Sequence, residues 1–294
     1  MNALTAYTAA WRATLRTRKV WLLLYGVTFL LALLSAMPLK GFMANTLGNS
    51  LALNQSLPGF DYGFIGDVLN EHGDAIGLVL NQSLVLIICF FVVSIFFLGG
   101  IISIFRQTEI EYDGHIFWQG CSRYFWRLLR LSLYFLFFHL LLLGFFVGLY
   151  LYLTKGLDPF ETESEVLWIR TFHIMAPIYL VMATFLFLVH DYAKLHVVHS
   201  NRSLLTVPIL QTFRFVFGNL GKFCSLYLLN ILTFLLFFGV YYLLKNSFLA
   251  DSFGTITLLF LLTQVFVMGR VGLKLLNLGG VTLLYGDLND KVEG

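Results

Sequence analysis

One short stretch, His190-Asp191-Tyr192-Ala193-Lys194-Leu195-His196, gathers the most reactive side chains beside an apolar run, with His199 and Arg202 just beyond. A lone carboxylate among cations at the edge of a hydrocarbon layer can hold a phosphate headgroup through a metal ion, or relay a proton. The metal reading is weak on spacing. On one helix His190 and His196 point about 120° apart, and no His-Glu-x-x-His pattern occurs. We expect no metal ion and no other cofactor. A salt-bridged helix end is the plainer role for Asp191 and Lys194. The expected counter-charge is Arg270, in the middle of another apolar run with Lys274 one turn later; Glu109 and Glu111 are its alternative partners. His139, Asn230 and Gln264 also interrupt apolar runs. Each fits a hydrogen bond to a neighbouring helix, worth ~0.6–2 kcal/mol inside a membrane.

The elements that must position these groups are six long apolar runs: Val20–Met37, Ser83–Phe105, Leu131–Leu153, Trp168–Val189, Phe223–Leu244 and one starting near Thr255. Each approaches the ~20 residues that a helix needs to cross a bilayer. Of the 19 Lys and Arg residues, all but Lys40, Lys155, Arg170 and Lys245 fall in the N-terminus, the second and fourth connections or the C-terminal segment. That bias predicts both termini in the cytoplasm. The expected fold class is all-α: a polytopic membrane protein whose six transmembrane helices form three hairpins, with amphipathic helices on the cytoplasmic face.

Composition excludes much else. Apolar residues make up 59% of the chain and charged residues 12%, about half the charged share usual for a water-soluble globule. The net charge of +3 is modest and concentrated on one membrane face. No compact basic domain is present to hold a duplex, so nucleic acid is not an expected partner. Cys89, Cys121 and Cys224 show neither a disulfide framework nor zinc spacing. Val20–Met37 is long for a signal core, and Leu34 sits where cleavage would want a small residue. It reads as an uncleaved span.

A basic-aromatic segment precedes each hairpin. Arg12, Arg16 and Lys19 recur at i, i+4 and i+7 before Val20, and Arg123, Arg127 and Arg130 repeat that spacing before Leu131. Such positions share one helical stripe. Phe117, Trp118, Cys121, Phe125 and Leu128 lie on the opposite face, a pattern that predicts helices in the headgroup plane. Thr206–Lys222 is a weaker third copy, carrying Arg214 and Lys222 among phenylalanines. The eight cations of these segments are the candidate lipid-headgroup residues. The whole then reads as a single membrane domain over 1–294, with repeat-like hairpins near 5–105, 114–190 and 206–286. The simpler reading is that any membrane hairpin begins with cations and aromatics. The segment 39–82 is the longest that does not span, and within it Phe64–Leu80 fits a helix on the outer membrane surface. Paired glycines, Gly99-Gly100 and Gly279-Gly280, stand at matching places in two hairpins and allow close helix approach.

Several of these stretches together carry a likeness. Gly99-Gly100, Phe117 through Leu131, Asp191-Tyr192-Ala193-Lys194 and Phe213–Lys222 make the chain resemble a widespread uncharacterised family of bacterial six-span inner-membrane proteins. The resemblance implies a six-helix fold and the bacterial inner membrane, and it implies no activity. Function stays open between three readings. The first is a non-enzymatic lipid-binding or scaffold protein whose partners are anionic lipids, a second protein or another copy of itself. The second is a transporter or lipid translocator with a site between the hairpins. The third is an enzyme acting on a lipid phosphate near Asp191.

Overall fold

The computed structural model describes residues 1–47, 62–107, 112–154, 166–200, 206–249 and 252–293. Among these residues every regular element is a helix: α1 (Ala3–Arg16), α2 (Arg18–Phe42, ending in a π turn over Met43–Leu47), α3 (Tyr62–Phe105), α4 (Gly114–Leu153), α5 (Val166–Ser200), α6 (Thr206–Gly218), α7 (Leu220–Asn246) and α8 (Phe253–Glu293). Six of them, α2, α3, α4, α5, α7 and α8, are long and apolar enough to cross a membrane. A hydrocarbon layer offers the backbone no partner, so chains that cross it satisfy their amides internally, as these helices do.

Helix ends follow local chemistry. Thr17 ends α1, its hydroxyl donating to the carbonyls of Ala13 at 3.1 Å and Thr14 at 3.2 Å. Asn219 interrupts the chain between α6 and α7 with φ −128° and ψ 23°, its amide donating to Phe215 O at 3.3 Å. Both side chains compete for backbone partners at a break. Asp113 caps α4 by accepting from the His115 amide at 2.8 Å. No break separates Arg130 from Leu131, and α4 runs unbroken for 40 residues. The basic segment Arg123–Arg130 therefore extends the axis of its span instead of lying as a separate helix in the headgroup plane. Nothing at that junction corresponds to Thr17 or Asn219.

The chain divides into two compact units, residues 1–18 with 95–294, and residues 19–94. In the smaller unit, α2 carries its helix through Pro38, and α3 is broken at His72 with φ −127° and ψ 25°. The expected surface helix Phe64–Leu80 is thus split: the residues after His72 are continuous with the span itself. The acidic connection beyond Leu47 lies outside the described residues until Tyr62.

In the larger unit, α4 pairs with α5, and α7 with α8, as hairpins. Its buried side chains gather at the end that carries both termini, where the Met1 amino group binds Asp287. Phe117, Leu128 and Phe135 of α4, Tyr192 of α5, Phe223 and Leu226 of α7 and Leu275, Val281 and Leu284 of α8 are all buried there. The far halves of the same helices bear large apolar side chains on the surface, among them Leu180, Leu236 and Phe253. Apolar surface of this extent needs lipid tails around it.

The small face of α1 completes the buried end. Ala6, Ala10 and Ala13, spaced at i, i+4 and i+7, are at most 2% exposed, and α1 packs along α8 and α7. A Cβ added at Gly280 of α8 would stand 3.7 Å from Ala10 Cβ. Leu4, Trp11 and Leu15 point outward from the other side of α1. Leucine at Ala10 is expected to overpack this contact and lower stability by ~1–3 kcal/mol. The check is thermal unfolding in detergent, and an unchanged midpoint would show that α1 does not pack there.

Candidate functional site

Asp191 lies where α5 meets α7 and α8. Its Oδ1 accepts from Lys194 Nζ at 2.8 Å, one turn along the same helix. Its Oδ2 accepts from the Tyr227 hydroxyl of α7 and, at 3.4 Å, from Asn277 Nδ2 of α8. Asn277 Oδ1 in turn accepts from Asn230 Nδ2 at 3.2 Å, and the same Asn230 amide donates to Leu226 O at 3.0 Å. One turn further along α7, the Tyr7 and Thr233 hydroxyls meet at 2.6 Å and bring in α1. The Asp191 and Lys194 side chains are 22% and 15% exposed. One carboxylate thus ties three helices, and protein donors engage both of its oxygens. That makes it a clamp rather than an open base.

Lys194 pairs with Asp191 along one helix, and Asn230 reaches the pair only through Asn277. Arg270 does not join them: it is exposed on α8 and pairs with no carboxylate among the described residues. Helix register explains the difference. Asn277 is level with Asn230, whereas the residue beside Arg270, Gly269, faces Phe237, nearly two turns further along α7. Lys194 sits a single turn from Asp191 and needs no such reach. The alternative partners of Arg270, Glu109 and Glu111, lie outside the described residues. Gln264 is half-buried on α8, away from the clamp.

His139 departs from expectation in another way. Its Nδ1–H donates to Phe135 O of its own helix at 2.7 Å, while its ring lies 4.2 Å from that of Phe187 on α5. It contacts the neighbouring helix by packing, not by a hydrogen bond. His190 stacks on Phe135 at 4.5 Å. His196 bridges three helices, accepting from Tyr285 OH at 2.8 Å on Nδ1 and donating from Nε2–H to Gln211 Oε1 at 3.0 Å. Tyr227 and Asn277 were missed from sequence. Asn277 carries the same signal as Asn230, a lone amide in an apolar stretch, whereas nothing sets Tyr227 apart among 14 tyrosines.

The predicted headgroup residues lie mostly on the surface. Arg12, Arg16, Arg123, Arg130, Arg214 and Lys222 are exposed, and Arg127 is half-buried. Lys19, exposed as well, belongs to the smaller unit. Arg106 belongs to none of the three basic-aromatic segments. It follows α3 directly and donates from Nη1 to Val198 O at 3.4 Å, with Nη2 3.2 Å from His199 Nδ1.

Six apolar crossing helices, lipid-facing leucines and phenylalanines, and a polar clamp near one end define a multi-pass α-helical membrane protein. Comparison with family models, with curated proteins and with solved structures finds no match in any of the three.

Proposed function

We propose that the chain is a non-enzymatic multi-pass protein of a bacterial inner membrane, with both termini in the cytoplasm, and that its basic end binds anionic lipid headgroups. The observation that carries this reading is the exposure of Arg12, Arg16, Arg123, Arg130, Arg214 and Lys222, none of which meets a carboxylate among the described residues. Each cation held near an anionic surface contributes roughly 1 kcal/mol. Leu4, Trp11 and Leu15 on α1, and Trp118 and Trp126 on α4, give the same end the exposed apolar and indole groups that seat a helix among headgroups. Protein donors on both oxygens of Asp191 favour a structural role there over chemistry on a substrate.

The reading is tested in nanodiscs that mix phosphatidylglycerol with phosphatidylcholine, by analysing the lipid that stays with the protein on gentle extraction. Severalfold enrichment of the anionic lipid at low salt is expected, weakening as salt screens the surface and falling in an Arg12→Gln/Arg16→Gln/Arg214→Gln variant. Retained lipid with the composition of the bulk bilayer would overturn the proposal.

A further inference from the structure

We infer that the basic end contains one built phosphate site, in the cleft between the end of α3 and the start of α4. This inference rests on the lipid-binding reading and narrows it to a place.

Glycines make the cleft. A Cβ added at Gly99 would stand 2.6 Å from the backbone oxygen of Gly120, and one added at Gly120 would collide with Ser103 Oγ. Two helices that cross so closely hold their next turns at short range. Arg106 and Gln107, just past α3, then line one cavity with Gln119 and Arg123 of α4, and its volume is about 280 Å³. Small-ligand sites begin near this size.

Among the described residues the lining of the cavity carries positive charge and no acidic side chain. Two guanidinium groups line it, and no carboxylate pairs with either among the described residues. Arg106 directs two of its five N–H groups to Val198 O and His199. Gln107 Nε2 is buried and has no partner among the described residues. Two like charges on one small cavity repel until an anion lies between them, and the planar guanidinium fork matches phosphate oxygens pairwise.

The surroundings favour the phosphate of a lipid over a soluble one. Phe96 and Trp118 pack at 6.2 Å and Phe96 and Phe125 at 5.9 Å, flanking the crossing. Trp118 is 47% and Trp126 68% exposed. Exposed indoles of this kind mark the level at which headgroups meet acyl chains. The ligand class is therefore an anionic glycerophospholipid, recognised through its phosphate.

Native mass spectrometry of the full chain in neutral detergent tests the site, with phosphatidylglycerol, phosphatidylcholine and inorganic phosphate as probes. Phosphatidylglycerol is expected to form a single 1:1 adduct that outlasts any phosphatidylcholine adduct. Arg106→Gln/Arg123→Gln should weaken it about tenfold or more, the loss of two charge-assisted contacts. Because Arg106 also braces α5, the decisive variant is Gln119→Glu, an isosteric change at an exposed position that supplies the cavity with its own anion. It should lose the adduct while keeping the wild-type melting temperature. Arg170→Gln/Lys245→Gln removes equal charge elsewhere and should keep the adduct. A Gln119→Glu protein that binds phosphatidylglycerol as tightly as the wild type overturns the site. Displacement of the lipid by equimolar inorganic phosphate overturns the lipid source. Anionic enrichment in nanodiscs without a 1:1 adduct defeats the cleft but leaves the broader reading, whereas absence of enrichment removes that reading first.

Discussion

Replacing Asp191 with leucine is expected to destabilise the protein by ~3–5 kcal/mol, the usual result of leaving one member of a buried ion pair without its partner. The change strands Lys194, whose side chain is only 15% exposed. It also removes the acceptor for the Tyr227 hydroxyl and the Asn277 amide. The readout is the melting temperature in detergent together with the yield of monodisperse protein. A triple variant, Asp191→Leu/Lys194→Met/Tyr227→Phe, separates a clamp from a catalytic carboxylate. It removes the charges and the stranded hydroxyl together, and apolar replacement of a whole buried pair is often neutral or stabilising. Most of the lost stability should return in the triple variant. If the single and triple variants melt at the same low temperature, Asp191 supports the fold by some means other than this network. If the single variant melts like the wild type, the clamp does not exist.

The second large effect falls on a glycine. Alanine at Gly99 would bring a Cβ within 2.6 Å of the Gly120 carbonyl oxygen, and at Gly100 within 2.6 Å of the Phe117 carbonyl oxygen. Backbone cannot step aside as a side-chain tip can, so α3 and α4 must separate. We expect Gly99→Ala to reduce stability by ~1–3 kcal/mol, the range typical of overpacking. Gly279→Ala would meet only the Phe105 ring, at 3.1 Å, and should be milder. At Gly148 nothing lies within 4 Å, and alanine there should be neutral or stabilising by up to ~1 kcal/mol through helix propensity. Melting the three variants side by side checks the order. A Gly99→Ala protein as stable as Gly148→Ala would show that the crossing is loose.

The two glycine pairs also show where residue identity stops being informative. Gly99-Gly100 and Gly279-Gly280 look alike in sequence and sit at matching places in their hairpins. The first pair meets another backbone, while the second meets the side chains of Phe105 and Leu226. A missing Cβ permits close approach, but only the crossing determines what approaches. The basic segments behave in the same way. Cation spacing before Val20 and before Leu131 is identical. Thr17 nevertheless ends one helix, and nothing ends the other before Leu153.

The six crossings were legible from hydropathy alone, because a helix is the simplest way for a chain to carry some twenty apolar residues through oil with its amides satisfied. Asp191 and Asn230 were legible as well, since a polar group inside an apolar run is expensive and must find a partner. Which partner it finds was not legible. The antiparallel register of α7 and α8 sets Asn277 level with Asn230 and within reach of Asp191, and carries Arg270 nearly two turns beyond. The cavity between Arg106 and Arg123 was equally hidden: its walls come from two helices whose meeting depends on the depth at which Gly99 rests against Gly120. Composition selects the solvent in which a helix is stable, whereas relative sliding and rotation of packed helices decide which side chains touch.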